Sequence, residues 1–390
     1  MINKKLIVQI LSYVLVAAVS VAVTLGVFLV LDEANVGTGK LQALEELIQE
    51  KFIGDADLTE MEDAAAEAMI GAIGDRWSYY IPADEFAAYK EQKANAYVGI
   101  GITITQPADA SGLNVTQVTA GGSAEQAGIM PGDFVIAVDG ESIAGMKIDD
   151  IRNMIRGEAG TNVSITVQRQ GEEKTFSVTR RQIKTPVAVG KLLEGNIGLI
   201  TIENFNSGCR EETIAAIEEL RSQGAQKLIF DVRFNPGGYA RELVALLDYL
   251  LPKGVLFKTV DYRGVTDVSR SDEKCLEMPM AVLVNGDSYS AAEFFAAALR
   301  EYDWATVVGE QTCGKGHFQS TFQLPDGSAV ALSIGKYYTP KGISLDGVGI
   351  TPDVPVKVDQ KTAAAIYAGT LDPMEDPQIL AAIEALNSEN

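Results

Sequence analysis

Ala281-Val-Leu-Val284-Asn285-Gly-Asp-Ser-Tyr-Ser290-Ala-Ala-Glu293 is the stretch whose reading decides the fold. Its apolar start is continuous rather than alternating, as expected of a strand buried on both faces. A short polar turn follows, and an alanine-rich helix begins near Ser290. The same order recurs on either side. Lys227 to Val232 runs into Arg233-Phe-Asn-Pro-Gly237-Gly238 and then the helix Ala240 to Leu251, while Ala305-Thr-Val-Val308 precedes Gly314-Lys315-Gly316-His317-Phe318-Gln319. Upstream, a strand over Asn196 to Ile202 leads to a helix over Glu211 to Ser222 with Ile214, Ala215, Ile217 and Leu220 on one side. Repeated strand–helix units with continuous apolar strands predict an α/β core with helices on its faces. Strands over Gly254 to Tyr262 and Phe318 to Tyr338, the latter with a hairpin at Pro325-Asp326-Gly327, complete this part.

The chemistry suggested by the opening stretch is nucleophilic. Ser290 and Lys315 each lie just past the end of an apolar strand, where open α/β sheets place their ligands. Serine hydrolysis needs a proton acceptor, usually imidazole, and the chain holds one histidine, His317. An amine is the alternative, provided that burial lowers its pKa from the ordinary value of about 10.4. Lys315 is the leading base and His317 the rival; if 315–319 is extended, both share a face with Gln319. Ser288 is the rival nucleophile, and a helix N-cap is the purely structural reading of Ser290. Glu293 reads as a first-turn carboxylate favoured by the helix dipole.

Between Tyr97 and Arg181 the pattern changes to short strands with glycine-rich turns. It opens on Val98-Gly99-Ile100-Gly101-Ile102 and continues through Gly121-Gly-Ser-Ala-Glu-Gln-Ala-Gly128, Pro131-Gly132-Asp133 and Phe134-Val-Ile-Ala-Val138-Asp-Gly140. A helix over Ile148 to Ile155 and strands over Asn162 to Gln168 and Lys174 to Thr179 finish the unit. A glycine-flanked loop at a strand edge leaves N–H groups free for a terminal carboxylate. Gly99, Ile100, Gly101 and Ile102 are therefore candidate ligands of a peptide C-terminus. Arg156, at the end of the unit's helix, is either a solvated surface group or a link from this unit to the active site.

The N-terminus reads differently again. Leu6 to Leu31 carries no charge, follows Lys4 and Lys5, and precedes Asp32 and Glu33. That length suits a bilayer-spanning helix, with a cytoplasmic tip and the rest of the chain outside; a cleaved signal is the alternative. Leu41, Leu44, Leu47 and Ile48, then Met61 to Ile73, predict an amphipathic helical arm. The arm either packs on the body or pairs two copies into a homodimer. Helix is expected again beyond Asp359, packed on the outside.

Composition narrows the partners. The net charge of −21 argues against nucleic acid and against anionic lipid for the part beyond the span. Cys209, Cys275 and Cys313 form neither a disulfide framework nor a zinc pattern, and neither metal nor organic cofactor is expected.

Taken together, the order of parts resembles the C-terminal processing peptidases, also called tail-specific proteases. The resemblance covers residues 41 to 358 and rests on ordered motifs. These are Asp231-Val-Arg-Phe-Asn-Pro-Gly-Gly238, the Ser290 segment, Gly309-Glu-Gln-Thr-Cys-Gly-Lys-Gly316 with Gln319, and Tyr337-Tyr-Thr-Pro-Lys-Gly342 followed by Gly347-Val-Gly-Ile-Thr-Pro-Asp353. The unit from Tyr97 to Arg181 resembles a PDZ domain. The family implies Ser290 as nucleophile, Lys315 as base, Gln319 as orienter of the amine, and the N–H groups of Ala291 and Gly237 as the oxyanion hole. Tyr289 and Ala292 depart from the family's nucleophile segment, and the bulk of Tyr289 is expected to narrow the pocket. The implied organisation is 1–35 tip and anchor, 36–95 helical arm, 96–183 PDZ domain, 184–358 serine protease core and 359–390 helical tail. The implied activity is that of a membrane-anchored, extracytoplasmic serine endopeptidase acting on polypeptide C-termini. A catalytically silent PDZ scaffold or sensor is the alternative.

Overall fold

A computed structural model describes residues 19–21 and 39–388. Apart from 19–21, the apolar span 6–31 lies outside the described residues. Among those described, no helix is long and apolar enough to cross a membrane. The chain divides into two units, Met1–Gly74 and Asp75–Asn390. In the first, the expected arm consists of helices Gly39–Lys51 and Leu58–Gly71, neither of which buries a residue. Asp57 caps the second by accepting the Glu60 N–H at 3.2 Å.

In the second unit, the PDZ-like part is an antiparallel sheet ordered Ile102–Thr105, Leu113–Val118, Phe134–Val138, Asn162–Arg169, Glu172–Thr179. Leu113, Val135, Ile151, Ile165 and Val178 form its fully buried centre. Its ends leave through a two-stranded antiparallel ribbon, Ala96–Gly99 against Arg181–Lys184, which the sequence reading did not foresee.

The α/β core is a six-stranded sheet ordered Ala188–Leu193, Ile197–Ile202, Lys227–Asp231, Met280–Val284, Ala305–Gly309, Val354–Pro355. The first two strands pair antiparallel and the rest parallel. Each strand feeds both faces: Leu228 and Phe230 point to one core, Ile229 to the other, and Val282 and Leu283 divide in the same way. This explains the continuous apolar runs. Helices Cys209–Ser222, Ala240–Leu250 and Ala291–Glu301 cover the first face. The second is covered by the C-terminal helix Pro377–Ser388, which buries Ile379, Ala382 and Leu386. The tail expected on the outside is therefore part of the core, because without it one face of the sheet would lie open.

A second, antiparallel sheet carries the residues that follow Lys315. His317–Gln323 pairs with Ala329–Tyr338 across the expected hairpin. Ala329–Tyr338 pairs in turn with Val255–Asp261, and with Tyr79–Ile81, a strand not legible from its sequence.

The C-terminal end of the central strand is locked by a buried cation. Arg233 donates from Nε to Asp231 Oδ1 at 2.8 Å and from Nη1 to Asp376 Oδ2 and Gln378 Oε1, both at 2.8 Å. Burial works against its charge, but Asp231 and Asp376 outweigh it and hold the guanidinium above its ordinary pKa. Removing the cation would strand two carboxylates, a change that typically costs ~3–5 kcal/mol. Arg233→Ala is therefore expected to lower the unfolding free energy by about that amount, measured by urea denaturation.

Candidate active site

Ser290 stands at the junction that the sequence indicated, between strand Met280–Val284 and helix Ala291–Glu301. Its backbone is held at φ 58°, ψ −124°, a conformation that few side chains other than glycine tolerate. Strain of this kind costs ~1–3 kcal/mol and persists only where surrounding bonds impose it. They are present. The Ser290 N–H donates to Glu293 Oε2 at 3.0 Å, and the preceding Tyr289 N–H donates to the Asn235 carbonyl at 3.1 Å.

Glu293 is fully buried, and its carboxylate does more than complement a helix dipole. Oε1 accepts from Thr312 Oγ1 at 2.5 Å and from the Gly314 N–H at 2.7 Å; Oε2 accepts from the Lys315 N–H at 2.8 Å as well as from Ser290. One acceptor group thus ties the backbone of the candidate nucleophile to that of the candidate base, which lies 25 positions later in the chain.

The Lys315 amine sits over the Trp77 ring at 4.6 Å and near the Tyr289 ring at 5.7 Å. The two rings stack with centroids 5.8 Å apart. Among the described residues the amine makes no ion pair. Burial, then the like charge of Lys93, bring its pKa down to about 8 against the opposing pull of Asp75, Cys313 and Glu293. The Asp75 carboxylate is occupied with Ser78, Ser333 and the Trp77 N–H.

Ser290, Lys315 and Gln319 line one cavity of about 700 Å³, together with Gly238, Tyr239 and residues of helix Phe86–Ala94. Its wall is completed when Tyr89 Oη meets Thr321 Oγ1 at 3.0 Å. His317 is absent from this lining. The strand starts only at His317 and shifts register between Phe318 and Gln319, so simple alternation does not carry across Lys315, His317 and Gln319. His317 Nδ1 instead lies 3.1 Å from Asp346 Oδ1, in a geometry that does not complete a hydrogen bond. Gln319 Nε2 donates to the His317 carbonyl at 3.2 Å and to Ser333 Oγ at 3.0 Å, so the bond to the amine implied by the resemblance is not made here.

Ser288, the rival nucleophile, is fully buried and spends its hydroxyl on the Val232 carbonyl at 2.7 Å. Gly237 lies against the elbow: a Cβ there would come within 2.8 Å of Ser290 Cβ and the Ala291 nitrogen, and its φ is +82°. Its N–H, however, donates to Asn235 Oδ1 at 2.8 Å. Gly238 and Ala291 are the neighbouring positions whose N–H groups have no bond among the described residues. Of the two N–H groups implied by the resemblance, that of Ala291 is thus unbonded and that of Gly237 is engaged, with the Gly238 N–H unbonded beside it.

In the PDZ-like part, Gly99, Ile100, Gly101 and Ile102 line a groove of about 290 Å³ with Ile104, Arg152 and Ile155. Ile100 and Gly101 use their carbonyls within the fold, accepting from Ala124 and Thr119 at 2.9 Å, while their N–H groups have no bond among the described residues. Arg156 sits at the edge of the same groove, 5.0 Å over the Tyr97 ring and 3.5 Å from Glu91 of helix Phe86–Ala94.

Sequence reasoning missed Trp77, Lys93 and the fastening role of Glu293. No local pattern marks the first two, because their importance comes from proximity to Lys315 in space. Glu293→Gln tests the third. All four partners donate, so an amide must turn its own NH₂ toward donors whichever way it flips. We expect a loss of about 2–3 kcal/mol in urea unfolding, and a drop in any Ser290-dependent activity of at least about tenfold.

Two parts of the chain match known families. The profile of Peptidase family S41 matches residues 196–356, and that of the PDZ domain matches residues 115–169. A "Probable CtpA-like serine protease" of Staphylococcus aureus (strain N315) is 31% identical over 343 residues, covering 87% of this chain and 68% of that protein. One from Staphylococcus epidermidis (strain ATCC 12228 / FDA PCI 1200) is 30% identical over 328 residues, covering 83% and 66%. Among solved structures, a photosystem II D1 C-terminal processing protease is similar at 26% identity and a TM-score of 0.47, covering 88% of this chain and 94% of that one.

Proposed function

This chain belongs to the C-terminal processing peptidases of family S41, serine-type hydrolases with a PDZ domain, and from that premise we propose that it cleaves polypeptides with Ser290 and Lys315 as its dyad. The observation that carries the dyad is one buried carboxylate, Glu293, holding a strained serine and a desolvated lysine on the same cavity. The neutral Lys315 amine takes the Ser290 Oγ proton as Oγ attacks the scissile carbonyl. The Ala291 and Gly238 N–H groups receive the developing oxyanion. Lysine then returns the proton to the leaving amine, and water releases the acyl-enzyme by the reverse sequence. Gln319 donates to Ser333 Oγ and so fastens the strand that begins two residues after the base.

The free N–H groups of Ile100 and Gly101 support recognition of a substrate's terminal carboxylate by the PDZ groove. The apolar span 6–31, with lysines ahead of it, supports a single membrane anchor and an extracytoplasmic catalytic part. Exposed Leu41, Leu44 and Leu47 on the arm support pairing of two copies through it.

A fluorophosphonate probe is expected to label the wild type and the His317→Ala variant but not Ser290→Ala. Peptide turnover should fall by at least about a thousandfold in Ser290→Ala and in Lys315→Ala. A dead His317→Ala with an active Lys315→Ala would replace the lysine by the histidine.

The base works only when neutral, so activity should rise with pH to a plateau through a midpoint near 8, falling about tenfold per unit below it. Trp77→Ala admits water to the amine and should move that midpoint upward, read from the pH profile of kcat/KM. A midpoint unmoved by this change would remove the ring from the account of the base.

Peptides ending in a free carboxylate should bind the full chain more tightly than their amidated forms in a titration calorimeter. Equal affinities would sink terminal recognition and leave the dyad untouched.

A further inference from the structure

The chain carries 53 acidic residues against 32 lysines and arginines, yet none of the residues that line the cavity at Ser290 is acidic. Two of them besides Lys315 are lysines, Lys90 and Lys93, both on helix Phe86–Ala94. Neither is paired with a carboxylate among the described residues. Each instead rests on an aromatic ring of its own helix: Lys90 Nζ lies 4.6 Å from the Phe86 centroid and Lys93 Nζ 5.6 Å from that of Tyr89. The third acid–base position of the helix, Glu91, is turned away to Arg156 and the Val98 N–H.

What sets these two lysines apart is their place, in a cavity that also holds Lys315 and no acidic residue. These two stand on a wall fixed by the Tyr89–Thr321 bond, and the charge of Lys93 is felt at Lys315 itself, so it stands close to the reacting groups. A cavity that is cationic and free of acid within a protein of net charge −21 also focuses anions from solution toward the cut.

We propose that Lys90 and Lys93 form a carboxylate-binding subsite beside Ser290, which selects polypeptide segments bearing an anionic group next to the scissile bond. The inference rests on the peptidase reading and adds a substrate class to it. The carboxylate is supplied either by an aspartate or glutamate side chain or by the end of the substrate chain itself. Both lysines line the cavity with their amines against aromatic rings, and a bound carboxylate replaces the solvent that the amines otherwise hold. The subsite is separate from the PDZ groove, whose donors are backbone N–H groups.

Four alanine-rich, fluorescein-labelled peptides test this, with glutamate or glutamine at the centre and the C-terminus free or amidated. Binding is measured by anisotropy to the full-length Ser290→Ala protein, and cleavage by the wild type is measured by mass spectrometry. The amidated glutamate peptide is expected to bind about tenfold more tightly than its amidated glutamine partner at low salt, with the difference shrinking as salt rises. The preference should collapse to within about twofold in Lys90→Gln/Lys93→Gln and return in Lys90→Arg/Lys93→Arg, which keeps the charge and controls for folding. A preference that follows only the free terminus, and that is lost in the same glutamine double variant, assigns the site to the chain end. Equal binding of all four peptides, or a preference that survives the glutamine double variant, overturns the proposal. Should the wild type cleave none of the peptides while the charge preference holds, the peptidase reading falls and the carboxylate site stands.

Discussion

A single buried carboxylate organises the chemistry of this chain. Glu293 accepts from the backbones of Ser290, Gly314 and Lys315 and from the Thr312 hydroxyl, and its charge is dispersed over four donors rather than over a cation. A buried charge without such partners would be too costly to keep, so the two loops that supply them are held in place by the need to satisfy it. The strained backbone of Ser290 is a consequence: the turn is over-determined from both ends, by Asn235 before it and Glu293 after it. Ser290 and Lys315, the proposed nucleophile and base, are therefore positioned through their main chains, which leaves both side chains free of that task.

The surroundings of Lys315 show how a chain rich in acid can keep an amine weakly basic. The nearest carboxylates are committed elsewhere, Asp75 to two hydroxyls and an N–H, Glu293 to its four donors. Trp77 and Tyr289 then shield the amine. Tyr289, a departure from the family's nucleophile segment, forms one wall of the lysine's site. Desolvation and one nearby like charge outweigh the residual attraction.

Behind the site, the Arg233 cluster performs a matching service for the scaffold. It joins the end of the central strand to the C-terminal helix, which closes the second face of the sheet. The loops of the candidate active site thus leave a sheet that is packed on both sides, and a rigid sheet is what allows its strand ends to hold strained turns.

Much of this was legible in the chain alone. Continuous apolar runs at 227–232, 281–284 and 305–308 announced parallel strands buried on both faces, since only such strands lack alternation. The motifs following them placed Ser290, Lys315 and Gln319 just past strand ends, and the glycine-rich turns between Tyr97 and Arg181 marked the PDZ unit. These features are local, and local sequence reports them because each follows from the periodicity or the turn chemistry of a few adjacent residues. Which of Lys315 and His317 lines the cavity of Ser290 was different in kind: it depended on the path of the loop before strand His317–Gln323, which no alternation pattern announces. The role of Glu293, the shielding by Trp77, the loss of Gly237 as a free donor and the cationic wall of Lys90 and Lys93 are all relations between segments distant in sequence. Hydrogen bonds, desolvation and charge act over a few ångströms of space whatever the distance along the chain, and so only the tertiary structure decided them.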